Sequence, residues 1–493
     1  MHSSALAGLA TGLLLSSAAA RADVEINSKP TSNMSCEAGV CTATAQKAVL
    51  NVGDLQTMLA SGDVAVKTGT VAKDIVIAQP LTWSSSSRLT LDARRSVQIN
   101  KQVTVAGQGS LTVTTNDIGS NGRTAKGKSG GEFIIVPERG SVQFWDTASS
   151  LIIDGNSYTL VYDIKTLASD IAANPSGFYA LAKPYDASAD GAYSSSPIAT
   201  TLDGTLEGLG NAVSNLTIKF PTSGTDGLFD RLGSGSVVSQ VGLVNATLEG
   251  TVYHGAYGGV GPLAGVNYGH VKRAYASGTV SVPLGTNELT GGLVGDNEGT
   301  ILNCYTSTDV SAGGEGIVGG IASLNYGLIE QSFSTGKLKS AVGNYSPSGI
   351  AGYNGGRINN TYSLAKVNQK GNCCGGGGYY GGLVGQNLDG AEVSTSYAAG
   401  KTGHTKRSGA TGGGLIGFDS ASPGSVSASY WDLDTGVNDP AQGAGNIDND
   451  PGITGLTDAQ LKSGLPNGFS PKIWCQSARI NNGYPYLCAL PPP

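Results

Sequence analysis

The stretch Gly-Gly-Leu-Val-Gly-Asp-Asn-Glu-Gly-Thr-Ile-Leu-Asn-Cys-Tyr at residues 291–305 carries the pattern that decides the fold. It contains a glycine-bounded lead-in and an anchor Gly-x-Asn-x-Gly at Gly295, Asn297 and Gly299. An aliphatic residue, Ile301, follows, and four positions on comes an aromatic, Tyr305. The same order recurs six times between about residues 261 and 436. The anchors are centred on Asn267, Asn297, Asn325, Asn354, Asn387 and, with an acid in place of the amide, Asp419. The paired residues are Val271 with Tyr275, Ile301 with Tyr305, Ile329 with Phe333, Ile358 with Tyr362, Val393 with Tyr397 and Val426 with Tyr430. Spacing within each pair never varies, whereas successive aromatics lie 28 to 35 residues apart. Stacked strands joined by adjustable turns produce this combination, so each unit reads as one coil of a solenoid.

Positions four apart also share a helical face, but these windows are rich in Val, Ile, Thr, Ser and Tyr and bounded by glycine, which favours strand. In a strand, residues two and four apart share a face. The aliphatic and aromatic residues are therefore expected on one face, each stacking on its like at about 4.8 Å. The small residue before each aromatic (Ala274, Cys304, Ser332, Thr361, Ser396, Ser429) is expected to face the other way. The aromatic series then reads as an internal ladder rather than a sugar-stacking strip. Glycine runs at residues 291–295 and 381–385 suit tight corners. The predicted fold class is all-β: an elongated parallel β-helix, or β-solenoid, with a short helical insertion and a capped C terminus.

Composition agrees with a chain spent on length. Glycine accounts for 75 of 493 residues, and charged residues make up only 13%, about half the usual level. With 30 basic against 36 acidic residues and no basic stripe, nucleic acid is not an expected partner. Residues 1–22 read as a secretory signal, with an apolar run followed by Ala20, Arg21 and Ala22 before Asp23. That run is shorter than the roughly 20 residues a membrane span needs, so no transmembrane helix is expected. Seven cysteines fall into groups. Cys36 with Cys41 and Cys475 with Cys488 are candidate local disulfides stapling the two ends, Cys373 and Cys374 are vicinal, and Cys304 occupies a packing position. Connectivity itself is not fixed by sequence.

The expected organisation is a signal at 1–22, a mature N-terminal segment at 23–48 and an N-terminal solenoid stretch of short alternating strands at 49–163. A helical insertion follows at 164–198, then the regular repeats at 199–436 and a cap at 437–493. Asp154 and Gly155 read as a tight turn. The helix at 164–173 ends at Asn174 and Pro175, and Thr457 with Gln460 forms a capping-box pattern.

Several of these motifs carry a family resemblance. They include Gly-Gly-Leu-Val-Gly at 291 and 381, the lead-in at 201–216, Gly242-Leu243-Val244-Asn245, Ser429-Tyr430-Trp431-Asp432, Gly455-Leu456-Thr457 and the closing Asn482-Gly483-Tyr484-Pro485-Tyr486-Leu487. The chain resembles the GLUG-motif repeats of bacterial secreted proteins, and over about residues 49–487 it is similar to the passenger region of filamentous-haemagglutinin-type adhesins. That resemblance implies a right-handed β-helix and a secreted or cell-surface protein, with outer-membrane association or periplasmic retention also open. It further implies a partner that is a cell-surface or matrix component or a glycan. Two family features do not carry over: the two-partner-secretion domain with its Asn-Pro-Asn-Gly signature, and the His-Glu-x-x-His of GLUG-bearing metallopeptidases.

Chemistry-bearing residues are sparse. Asp432, Asp434, Asp448 and Asp450, with Asp296 and Glu298, could supply an acid and a base. In glycine-rich turns such acids bond local amides, and nothing else converges on them. Asp432, Asp434, Gly436 and Asn438, joined by Asp448-Asn449-Asp450, resemble a calcium loop but read as polar turns. His2, His254, His270 and His404 are scattered, and no serine sits in a nucleophile elbow. The glycines at 375–378 lack a phosphate-loop context. No catalytic, cofactor or metal residue is assigned. The expected role is non-enzymatic and adhesin-like; the alternatives are a polysaccharide lyase, hydrolase or epimerase, and a purely structural envelope protein.

Overall fold

The computed structural model describes residues 23–117, 130–220, 224–250, 258–282, 289–313, 316–340, 347–369, 378–404 and 411–493. The signal at 1–22, His254, Cys373 and Cys374 lie outside the described residues. Long parallel sheets, the largest of 16 strands, wind the chain into β-solenoids, as the repeat spacing predicts.

From Asp23 to Ile153 most strands alternate buried and half-buried residues, which assigns each side-chain column to one face. Ile26, Leu50, Ile77, Ile99 and Ile135 share one rung position in the first sheet. Val64, Leu89, Leu111 and Leu151 do so in a second, and Trp83, Val105 and Phe144 in a third. All of these are buried in one core. The mature N-terminal segment at 23–48, which the sequence sets ahead of the solenoid stretch at 49–163, is part of this solenoid. Asp23–Asn27 pairs on one side with Ala48–Asn51 and on the other with Asp74–Ile77, inside the first sheet. A hairpin of Met34–Glu37 and Val40–Ala43 follows, bridged by the Cys36–Cys41 disulfide. Next comes a helix, α1 (Val52–Ser61), that periodicity did not reveal. Asn51 caps it by accepting from the amides of Gly53 and Asp54, and Leu55 and Leu59, one turn apart, are buried in the core.

Asp154 and Gly155 both adopt positive φ, 47° and 82°, the conformation of a two-residue hairpin turn. Ser150–Ile153 and Asn156–Val161 consequently pair antiparallel, and the later strands of this sheet, parallel among themselves, run opposite to the earlier ones. The strand Phe178–Leu181 sends Tyr179 and Leu181 into a second core, while Ala180 belongs to the first. Two solenoids thus occupy opposite faces of shared strands, instead of one continuous coil. Helix α2 (Ile164–Ala173), capped by Asp163, buries Ile164, Leu167 and Ile171 at the start of the second core.

In the second solenoid the aliphatic column Val238, Val271, Ile301, Ile329, Ile358, Val393 and Val426 is in register and fully inside. The aromatic column Tyr275, Tyr305, Phe333, Tyr362, Tyr397 and Tyr430 is also in register. Its rings stack nearly parallel, with centroids 5.1, 5.1, 4.7 and 5.3 Å apart from Tyr275 to Tyr397. It does not share the aliphatic face, contrary to the alternation argument. Arg273, Asn303, Gln331, Asn360, Thr395 and Ala428, two before each aromatic, all have positive φ. This left-handed residue shifts the phase, so the small residue points inward and the aromatic outward. Ala274, Cys304, Ser332, Thr361, Ser396 and Ser429 are accordingly buried. Four of these side chains accept the amide of the preceding coil: Ala274 N to Cys304 Sγ at 3.4 Å, Cys304 N to Ser332 Oγ at 3.0 Å, Thr361 N to Ser396 Oγ at 3.0 Å and Ser396 N to Ser429 Oγ at 3.3 Å.

The outward aromatic column is covered by the C-terminal region. Helix α3 (Asp458–Leu461), opened by the Thr457–Gln460 capping box, and the strand pair Trp474–Cys475 and Tyr486–Leu487 with its Cys475–Cys488 disulfide fold back along that flank. Leu461, Phe469, Trp474, Tyr484 and Leu487 form a third cluster with the ladder. Tyr397 donates to the Pro485 carbonyl at 2.6 Å and Tyr430 to the Asn467 carbonyl at 2.7 Å. The cap therefore covers a side of the solenoid, whereas its last strand, Ile453–Leu456, closes the end.

Candidate functional site

The anchor asparagines are interior. Asn267, Asn297, Asn325, Asn354 and Asn387 have no exposure, and each donates its side-chain amide to the next coil. The distances from Asn267 to Asn297 and onward to Asp419 are 2.7, 2.7, 2.8, 2.9 and 3.1 Å. A buried amide is tolerated only when its partners are supplied, and here the repeat supplies them. The glycines of the lead-in serve the adjoining corner. A Cβ on Gly291 would overlap the carbonyl oxygen of Val294, and one on Gly319 that of Ala322.

In the first four anchors the residue between the asparagine and the following glycine lies outside the ladder and varies: Tyr268, Glu298, Tyr326 and Gly355, the last facing the Tyr326 ring at 2.6 Å from where a Cβ would stand. Tyr268 is 42% exposed and Tyr326 45% exposed, two of the few large apolar side chains in the open. The Arg231 guanidinium lies 5.6 Å over the Tyr268 ring. Asp296, in the strand leading to the Glu298 turn of the next coil, has its carboxyl pushed up to about 6 by burial, with the Glu298 charge adding to it. Along the same sheet Gln386 donates to Tyr353 at 3.0 Å, and Phe418 meets Tyr379 of the adjoining sheet at 4.6 Å. This flank therefore offers aromatic faces, a cation and carboxylates on one surface. The sequence reading passed over Tyr268 and Tyr326, although an aromatic in the unconstrained slot of Asn-x-Gly was visible in the anchors.

The acidic candidates near the end do not converge. Asp432 is buried and accepts from Tyr484 at 2.7 Å and from the Asp434 amide at 2.8 Å. Asp434 accepts the Asp458 amide at 2.8 Å, and Asp448 accepts from Gln442 at 2.7 Å. Asp450 instead lies beneath the 419–425 turn with Ser422. Asp432 and Asp434 thus tie down the cap, and no calcium loop joins the four. Among the described residues no group of three His, Cys, Asp or Glu is placed to hold a metal. His270 is exposed on a strand, and His404 ends another.

A second electrostatic centre lies where the two solenoids meet. Glu207 is fully buried there, and its carboxyl is pushed up to about 7 by that burial, against the bonds it receives from Ser239, Leu209 and Gln240. The Gln240 side-chain oxygen accepts the amide of Ile135 from the first solenoid. Nearby, Arg273 pairs with Glu132 at 2.5 Å, and Tyr305 donates to Glu138. A cleft of about 180 Å³ between Glu138, Arg139, Tyr305 and the prolines at 491–493 completes the joint. These contacts cross from one solenoid to the other and bind them side by side.

No helix among the described residues is long and apolar enough to cross a membrane. No family model matches the chain. A stretch of 172 residues, 33% of the chain, is 33% identical to Halomucin of Haloquadratum walsbyi (strain DSM 16790 / HBSQ001), of whose length it spans 2%. The chain is similar to a small part of that protein.

Proposed function

We propose that this is an exported, non-enzymatic β-helix protein of the GLUG-repeat, filamentous-haemagglutinin-like kind, which holds a cell-surface, matrix or glycan partner against the turn flank of its second solenoid. The observation that carries this reading is the exposure of Tyr268 and Tyr326 beside Arg231 and Glu298, in slots that the core leaves free to vary. Exposed aromatic rings with neighbouring hydrogen-bonding and charged groups are the usual means of holding sugars and polar polymers. The Asp296–Glu298 pair is the place where a polysaccharide-active enzyme would begin.

Purified protein applied to a glycan and matrix-component array tests the reading. Saturable binding that leaves the ligand intact, and that weakens at least tenfold in a Tyr268→Ala, Tyr326→Ala double variant of unchanged stability, is expected. Shortened or unsaturated sugars would replace it with the enzymatic alternative. Absence of any binding would leave a structural envelope role.

A further inference from the structure

The strands that begin at Tyr275 and Tyr305 run on past the aromatic column, and their outer halves continue through Lys337–Ser340, Lys366–Gln369 and Thr402–His404 as one parallel sheet. Leu338 and Val367 are buried, so the residues that alternate with them face solvent. Lys337 and Lys366 stand in register on that outer face. Lys401, whose carbonyl accepts the Val367 amide at 2.9 Å, takes the same position one coil later. Lys339 lies beside them, and all four lysines are exposed. Asp309, one coil before, pairs with Lys337 at 2.9 Å. Among the described residues no acid pairs with Lys339, Lys366 or Lys401.

Like charges stacked directly opposite one another destabilise a sheet, and the chain as a whole is acidic, with 36 acids against 30 bases. Guarding an edge, a common use of exposed lysine, does not account for the stack, because Lys337–Ser340 and Lys366–Gln369 are each paired on both sides. Nor does solubility, since an earlier coil supplies surface charge without repulsion by setting Lys219 against Glu249 at 3.3 Å. A negative partner from outside the chain relieves the column. The column runs along the solenoid axis, so its cations recur at about 4.8 Å. Thr279, Ser281 and Ser311 continue the same two columns with hydroxyls in the preceding coils. A line of cations beside hydroxyls complements an extended polymer that carries both anions and hydroxyls. Arginine forks and aromatic rings, the usual grip on phosphates and bases, are absent from the described residues of these columns, as is any apolar side chain that could enter a lipid surface.

We propose that Lys337, Lys339, Lys366 and Lys401 form a binding surface for an anionic polysaccharide, sulfated or uronate-bearing, laid along the solenoid axis. The surface lies on a different sheet from Tyr268 and Tyr326 and stands whether or not that flank binds.

The test is binding of the purified protein to immobilised dextran sulfate, polygalacturonate, uncharged dextran and double-stranded DNA, with salt titrated. Saturable binding to one or both anionic glycans is expected, weakening as salt rises, with none to dextran; which of the two binds identifies sulfate or carboxylate as the recognised group. Lys339→Gln, Lys366→Gln and Lys401→Gln together leave the Lys337–Asp309 pair in place and should weaken binding at least tenfold, with the thermal midpoint unchanged or higher. Arginine at the same three positions should retain it. Lys73→Gln, Lys101→Gln and Lys472→Gln, at three exposed lysines elsewhere, make the same change in net charge and should bind as the wild type does. So should the Tyr268→Ala, Tyr326→Ala variant, which separates this surface from the turn flank. The proposal is overturned if neither anionic glycan binds better than dextran, or if DNA binds more tightly than both. It is equally overturned if the remote lysine variant weakens binding as much as the column variant, or if the loss follows Tyr268 and Tyr326 instead.

Discussion

The two solenoids solve one problem by different means. Both must hold coils in register, but the first does so with aliphatic columns such as Ile26, Leu50, Ile77, Ile99 and Ile135. The second adds an internal chain of amide hydrogen bonds and a stacked aromatic flank. Nothing among the described residues of the first core corresponds to the amide chain. Apolar columns accept Val, Ile or Leu at nearly equal stability, so such a core drifts in sequence and its period fades. An amide chain or a corner closed to any Cβ accepts one residue type, and its period stays visible.

The comparison is broken most severely at a corner. Gly319→Ala drives a Cβ into the Ala322 carbonyl, where only backbone movement gives relief, and should cost about 4 kcal/mol or more. Soluble yield and denaturant melts would show it. Asn325→Leu takes the short ladder partners from the Asn297 donor and the Asn354 acceptor and leaves them only bonds of 3.3 to 3.5 Å to the Gly299 and Leu328 carbonyls and the Gly356 amide, a loss of about 3 kcal/mol. Ile99→Val, mid-column in the first solenoid, should cost only about 1 kcal/mol. If the two losses proved equal in urea melts, the distinction between tolerant and exacting stacking would fail.

The joint responds to pH. With a folded-state value of about 7 against an unfolded carboxylate near about 4.3, Glu207 holds its proton over a window where the unfolded chain has released it. Native protein binds more protons there, so this contribution is complete below about pH 4, declines as pH rises towards 7, and is level above that. Asp226 and Asp296, both pushed up to about 6 by burial, add to the same decline. Glu207→Gln should therefore flatten the profile and gain about 2 kcal/mol at pH 8 while changing little at pH 4. Paired melts at the two pH values check it. The smallest effect is expected at Ala428, left-handed at φ 43° where sister coils have Asn303 and Asn360. Ala428→Asn should stabilise by about 1 kcal/mol, visible as a small rise in the urea midpoint.

What the sequence disclosed follows the same division. The β-helix class, the coil period and the helix at 164–173 were legible because invariant spacing and turn chemistry expose them. The outward turn of the aromatics was not, because the residue that shifts the phase is variously Arg, Asn, Gln, Thr or Ala, and four of those five types give no left-handed signal. The Asp154–Gly155 turn could be read, but its consequence could not. A tight turn does not announce that every later coil packs on the opposite face of the sheet. Of the candidate surface, the anchors were evident and their burial was not. An asparagine flanked by glycines looks like an exposed turn until its neighbours in the stack are known. The Glu207 cluster and the lysine column join residues about 30 positions apart, a relation that spacing alone cannot single out.

The amide chain has a direction. Every link runs from an earlier Nδ2 to a later Oδ1, and at its start the Asn267 oxygen accepts the amide of Gly269 at 3.1 Å. A coil duplicated or deleted anywhere between Asn267 and Asn387 leaves donors and acceptors matched, so recombination can lengthen or shorten the array without repair. Only the terminus is irreplaceable. Loss of the coil bearing Asp419 would leave a buried donor with nothing to receive it, so changes in repeat number should be inherited from within the array and not from its end.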